Sequence, residues 1–174
     1  MLILSYFEGG MNMFDPATKT FKHSTAKNWF IGDNVGALDL QTRKYVVLSG
    51  EGKVWRADID QVNFGNPTSA IPNNQQVSYL ETPGTAAFFP PNAQQFGIDY
   101  DPDRQRLVCW SGNTDVWTLN TSTWVWHRIT SSSGPQTAGK TSGGIYGRWR
   151  YLPQHHVFIG YNDWADSPWL YRMP

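Results

Sequence analysis

The chain holds one cysteine among its 174 residues, so no disulfide can form within it. Cys109, between Val108 and Trp110, reads as a small buried apolar residue. Charge is scarce as well. Lys plus Arg and Asp plus Glu number 14 each and cancel to a formal net charge of zero. That balance argues against a nucleic-acid or anionic-membrane partner. No apolar run reaches the length of a membrane-spanning helix. Met1-Leu2-Ile3-Leu4-Ser5-Tyr6 has neither a basic segment nor a full apolar core, so it is not expected to be a signal peptide. The compartment stays open, since an extracellular or periplasmic location would require residues upstream of Met1. The histidines, His23, His127, His155 and His156, show no metal-ligand spacing, and neither a metal nor a cofactor is expected.

Aromatic residues are plentiful: nine Trp, eight Tyr and nine Phe. They suit strand faces that are apolar on one side and wet at the edge. The pattern is clearest over residues 96–126, which hold short apolar runs at 98–100, 107–110, 116–119 and 124–126. Asp101-Pro102-Asp103, Ser111-Gly112-Asn113 and Asn120-Thr121-Ser122 separate them. Strand residues bounded by such turn formers describe an antiparallel meander. A sheet of this size cannot bury its own faces, so similar neighbours are expected.

Shifting the chain on itself finds them. Moved back by 62 positions, Asp101, Val108, Ser111-Gly112 and Val116-Trp117 fall on Asp39, Val46, Ser49-Gly50 and Val54-Trp55. Moved forward by about 51, Tyr100-Asp101-Pro102 meets Tyr151-Leu152-Pro153. Near the start, Leu2-Ile3-Leu4-Ser5 matches Val46-Val47-Leu48-Ser49, and residues 14–21 resemble 119–124. The repeats cover approximately 1–24, 36–82, 96–130 and 145–174, within one partial domain spanning 1–174. Strands are expected at 2–6, 11–14 and 20–23, then at 37–40, 45–49 and 54–58. A late fourth strand at 77–81 follows an insertion at 59–75. The last repeat gives strands at 146–151, 157–161 and 169–172.

The inner-strand Tyr100-Asp101-Pro102, with Ser111-Gly112, Val116-Trp117-Thr118-Leu119-Asn120 and Trp124, resembles the kelch repeat of β-propellers. The central domain of galactose oxidase and the kelch-type sugar mutarotases carry such repeats. In the last repeat the matching residues are Tyr146-Gly147-Arg148-Trp149-Arg150-Tyr151-Leu152-Pro153 and Leu170-Tyr171. Paired glycines, usual in kelch repeats, survive as Gly9-Gly10 and Gly143-Gly144. The resemblance implies an all-β fold of antiparallel four-stranded blades, an incomplete kelch-like propeller of about three to four blades. Such an arc leaves open blade edges. Either the chain is the C-terminal part of a longer propeller, or two copies close one ring of about seven or eight blades through self-association.

The function expected is a non-catalytic binding or scaffold module with a carbohydrate or protein ligand. The alternative is the C-terminal part of a kelch-type sugar-active enzyme, mutarotase-like or oxidase-like, without its N-terminal blades. Propeller ligands usually meet the loops that join second to third strands and one blade to the next. These loops offer Trp29, Glu51, Asn113, Asp115, Asp163 and Trp164. A Trp beside Asn and Asp suits a sugar, with the ring on its apolar face and the polar groups on its hydroxyls. The same residues are also ordinary turn formers. In Gly147-Arg148-Trp149-Arg150-Tyr151, alternation puts Trp149 and Tyr151 on one face and Arg148 and Arg150 on the other. Arg150 aligns with Asp99, and an Asp99–Arg150 ion pair would tie two blades together. Arg148 or Arg150 could instead grip a carboxylate or phosphate in the central channel. His155-His156 reads as a solvated turn. The copper activity of galactose oxidase is not carried over, because Cys109 is mid-strand and no matching His pair exists.

Overall fold

The computed structural model describes residues 2–5, 11–24, 34–49, 54–62, 75–77, 80–81, 95–130, 144–163, 165 and 167–174. Their fold is all-β, arranged as four blade-like sheets. The first holds β1 (Leu2–Ser5), β2 (Met11–Asp15) and β3 (Thr20–Ser24), paired in that order. The second holds β4 (Asn34–Asp39), β5 (Lys44–Ser49), β6 (Val54–Asp58) and β7 (Gln75–Val77). The third is built on β9 (Gly97–Asp101), β10 (Arg106–Trp110), β11 (Asp115–Asn120) and β12 (Val125–Thr130). The last holds β13 (Trp149–Leu152), β14 (Val157–Gly160) and β15 (Trp169–Tyr171). The innermost strand β9 packs between β4 and β13, so three blades fan around one line.

Among the described residues one turn recurs five times and sets this geometry. Asp15 pairs with Thr20, Asp39 with Lys44, Asp101 with Arg106, Asn120 with Val125 and Leu152 with Val157, each closing a four-residue loop. The last loop residue is left-handed every time: Lys19, Arg43, Gln105, Trp124 and His156, with φ between 51° and 59°. Where Asp or Asn opens the loop, its side chain accepts an amide two residues on. Asp15 Oδ1 takes the Ala17 N–H at 2.9 Å and Asp39 Oδ1 that of Gln41 at 2.8 Å. Asp101 Oδ1 takes that of Asp103 at 3.0 Å and Asn120 Oδ1 that of Ser122 at 2.9 Å. This is the local bond that makes Asp and Asn good turn initiators. All five turns join first to second or third to fourth strands, so they share one rim. The second-to-third loops form the opposite rim.

The third blade is buried on both faces. Leu107, Cys109, Trp117, Leu119 and Trp126 pack with Ala37, Val46, Leu48 and Val54 of the second blade. Val108, Trp110 and Val116 pack with Ile145, Trp149, Phe158 and Met173 of the fourth. This explains the unbroken apolar runs of β10 and β11, since strands covered on both sides lose the polar alternation. Trp149 is the hub of the second core. It stacks on Phe158 at 4.8 Å and 9°, lies 5.2 Å from Trp110, and donates its indole N–H to Val108 O at 3.2 Å. Gly97 permits the approach, because a Cβ there would sit 2.2 Å from Trp149 Cβ.

Several strand boundaries differ from the expectation. Residues 77–81 are not one fourth strand. Gln75–Val77 completes the second blade, whereas β8 (Leu80–Glu81) lies parallel to β12 as a fifth strand on the third. The open edge of β12 attracts the passing chain before it turns inward to β9. Trp124 stands outside its strand because the turn needs it at φ 59°. The last innermost strand starts at Trp149, not at residue 146. Tyr146–Arg148 forms a single 3-10 turn, closed by Arg148 N–H to Ile145 O at 3.0 Å. The insertion after β6 begins with another such turn, Ile59–Gln61, anchored by Ile59 N–H to Arg43 O at 3.0 Å.

Candidate functional site

On the rim formed by second-to-third loops, the described candidates organise their own loops. Asn113 Oδ1 accepts the Ser111 hydroxyl at 2.7 Å and the Asp115 amide at 2.8 Å. The Asn113 carbonyl accepts the Trp110 indole N–H at 2.7 Å. Asp115 bridges two strands, with Arg128 Nη2 at 2.6 Å and Thr130 Oγ1 at 2.9 Å. The Arg128 guanidinium also lies over the Trp117 ring at 5.6 Å. Asp163 Oδ1 accepts the Ala165 amide at 3.0 Å. Trp29, Glu51 and Trp164 lie outside the described residues.

Nearer the axis, Asp99 and Arg150 come together across two blades, with Arg150 Nη1 3.9 Å from Asp99 Oδ1. The shorter link is to backbone: Asp99 Oδ2 accepts the Tyr151 N–H at 2.9 Å. That N–H belongs to an innermost strand and has no sheet partner on that side, so the carboxylate takes the place of a neighbouring strand. Arg150 keeps 59% of its side chain exposed. Arg148 does not sit beside it on the strand. It belongs to the 3-10 turn, is half-buried, and its Nε reaches Ile145 O at 3.2 Å.

Among the described residues the turn rim carries polar contacts of its own, at positions outside the expected site. Thr121 of the third blade donates its hydroxyl to Asp39 Oδ2 of the second. Thr42 Oγ1 donates to the same oxygen at 2.7 Å. Burial alone would raise the Asp39 pKa, but these hydroxyls and the amides of Thr42 and Gln41 outweigh it and hold it below 3.8. Tyr100 is pushed up to about 12, by burial first and then by the Asp39 charge. Trp124 is flanked by Lys44 Nζ at 5.7 Å and Arg56 Cζ at 5.5 Å from its ring.

Between the third and fourth blades, Asp103 Oδ2 accepts the Tyr151 hydroxyl and lies 2.6 Å from His156 Nδ1. His156 is thus exposed yet partnered. The two bonds hold the Asp103 carboxyl below its usual pKa. Burial and Asp103 push Tyr151 up to about 12. Arg104 completes the seam, reaching Asp101 Oδ2 at 3.3 Å and the Met173 carbonyl at 2.8 Å. The signal for these pairs was the turn register: Asp39, Asp103, Thr121 and His156 all sit in or beside equivalent four-residue loops. Among the described residues no group of three or more His, Cys, Asp or Glu could hold a metal ion.

No protein-family profile matches the sequence, and no curated protein matches it. Among solved structures, the chain is similar to dihydro-heme d1 dehydrogenase NirN in complex with DHE. The TM-score is 0.54 at 11% identity, over 98% of this chain and 32% of that one. NirN is a β-propeller protein. The fold here is that of propeller blades. At this identity the likeness concerns fold alone, and the chain spans about a third of the NirN length.

Proposed function

We propose that the chain is a non-catalytic binding or scaffold module of the kelch type, with a carbohydrate or protein ligand. The observation that carries this is the use made of its polar side chains. Asp39, Asp101, Asn113 and Asp163 accept hydrogen bonds from amides within three residues, and Asp115 joins Arg128 and Thr130 across one blade. These bonds fix loops in place before any ligand arrives, and such preorganisation favours binding. Arg150, largely exposed beside Asp99, offers the fork that planar anions or sugar hydroxyls engage. Trp29 and Trp164, which lie outside the described residues, are of the residue type that stacks on an apolar sugar surface.

A glycan panel probed with the purified chain tests this. Retention of at least one glycan, lost in Trp164→Ala, is the expected result. Turnover of a sugar during incubation would replace the binding reading with a catalytic one. A blank panel would remove carbohydrate as the ligand.

A further inference from the structure

Lys44 and Arg56 lie on the face of the second blade that packs against the third. Lys44 pairs with Asp58 in register and Val46 with Arg56, so Lys44, Val46, Val54, Arg56 and Asp58 project to one side. Val46 and Val54 pack in the core with Trp117, Leu119 and Trp126 of the third blade. Toward the turn rim this apolar face gives way to charge, and Trp124 of the third blade stands beside it. The Trp124 ring is partly buried, with Lys44 Nζ 5.7 Å and Arg56 Cζ 5.5 Å from its centroid.

Arg56 differs from the other arginines. Its Nε is buried and has no hydrogen-bond partner. Among the described residues no carboxylate lies within ion-pair distance of its guanidinium. Every other arginine of the chain reaches a carboxylate or carbonyl oxygen. The indole attracts the charge through its ring face, but it offers the N–H donors no lone pair. A buried donor without an acceptor is costly, and in folded proteins such groups are met by water or an ion. Lys44 is better served. Asp39 and Asp58 stand opposite it on the neighbouring strands, and its ammonium reaches the Thr121 carbonyl at 3.4 Å. Lys44 and Arg56 therefore balance Asp39 and Asp58, which leaves no excess field to hold a phosphate dianion. What the seam lacks is an acceptor for a planar fork, and a carboxylate has that shape.

We propose that the seam beside Trp124 binds the carboxylate of a small organic anion, with Arg56 as the fork and Lys44 as a second charge. Two sources carry such a group: an acidic sugar, such as a hexuronate, and a free acid, such as acetate. This site is separate from the loops of the opposite rim and from Arg150 near the axis. It does not depend on carbohydrate being the ligand.

Titration of the purified chain with acetate, glucuronate and neutral glucose at constant ionic strength tests it. The reporter is the Trp124 indole N–H in nitrogen–proton NMR spectra, identified by its loss in Trp124→Phe. A saturable shift with acetate or glucuronate, and none with glucose, is the expected result. Tighter binding of glucuronate assigns an acidic sugar, and acetate binding at least as tightly assigns a free acid. Arg56→Met keeps the stem and removes every donor. It should weaken binding of the anion by about tenfold or more and leave the unfolding midpoint in urea close to that of the parent. Silence with both anions throughout the millimolar range overturns the proposal, as does an equal shift with glucose. So does a large fall in the Arg56→Met midpoint, which would mean that the folded chain already supplies the acceptor. Glu81 pairs with Trp126 along β8 and β12. Tighter acetate binding in Glu81→Gln would mean that an internal carboxylate fills the site, and would equally overturn it.

Discussion

Replacing Gly97 by Ala is the sharpest test of how the third and fourth blades are held. A Cβ built there stands 2.2 Å from Trp149 Cβ and 2.8 Å from Ile145 Cγ2. The first distance is about 1.2 Å inside the 3.4 Å at which ordinary contact begins. Neither neighbour is the free end of a flexible chain, and Trp149 is wedged between Phe158 and Trp110. The strain must open the seam between β9 and β13, which also carries the Tyr151–Asp99 and Trp149–Val108 bonds. Overpacking of this kind costs about 3 kcal/mol. In urea that shifts the unfolding midpoint down by about 1 M or more. Gly147→Ala is the control, because the nearest atom to its Cβ is Arg150 Nη2 at 3.7 Å, and it should stay within about 0.5 kcal/mol of the parent. Adding Trp149→Phe to Gly97→Ala shrinks the ring but keeps the Cβ, so it should restore none of the loss. A Gly97→Ala chain with an unshifted midpoint, or rescue by Trp149→Phe, would refute the reasoning.

Two further outcomes follow from the turn rim. The Asp39 carboxyl is held below its ordinary pKa in the fold, so its stabilising effect is present above about pH 4 and disappears as pH falls through the lowered value. Asp39→Asn should therefore flatten the acid limb of a stability-against-pH profile measured by thermal melts, and an unchanged acid limb would count against the Thr121 link. Gln105 is exposed and left-handed at φ 54°, a conformation that disfavours residues with a Cβ by about 1–2 kcal/mol. Gln105→Gly should raise stability by up to about 1 kcal/mol after its greater unfolded-state freedom is subtracted, whereas Gln105→Val should lower it. Denaturant midpoints of the pair decide the point.

Much of the architecture was legible because turn chemistry and strand chemistry agree. Asp101, Asn120 and Asp39 announce the loops, and the runs beside them are rich in β-branched and aromatic residues. The two-residue β8 was not legible, because its strand partner is β12, more than forty residues away, and so short a segment carries no period of its own. Trp124 was read into a strand because its bulk suits one. Backbone demand at the turn overrides that preference, and Lys44 and Arg56 flank its ring. Arg148 was placed on a face by alternation, which assumes an extended chain that the 3-10 turn denies. The candidate residues Asn113, Asp115 and Asp163 were chosen by type and loop. Their bonds to backbone and to Arg128 depend on local geometry that composition does not reveal. Asp103 and His156 meet only because two separate loops share one rim.

The double burial of β10 changes what keeps that strand in place. On an ordinary sheet, sliding by one residue would drag polar groups inward, and water would object. Here Val108 and Cys109 are adjacent in the chain yet serve different compartments, and both compartments are greasy. Solvent cannot tell the two alignments apart, so volume must. Trp110 packs beside Trp149 in one compartment, and the slender thiol of Cys109 lies with Trp117 in the other. Alignment along this strand is written in side-chain size rather than in polarity.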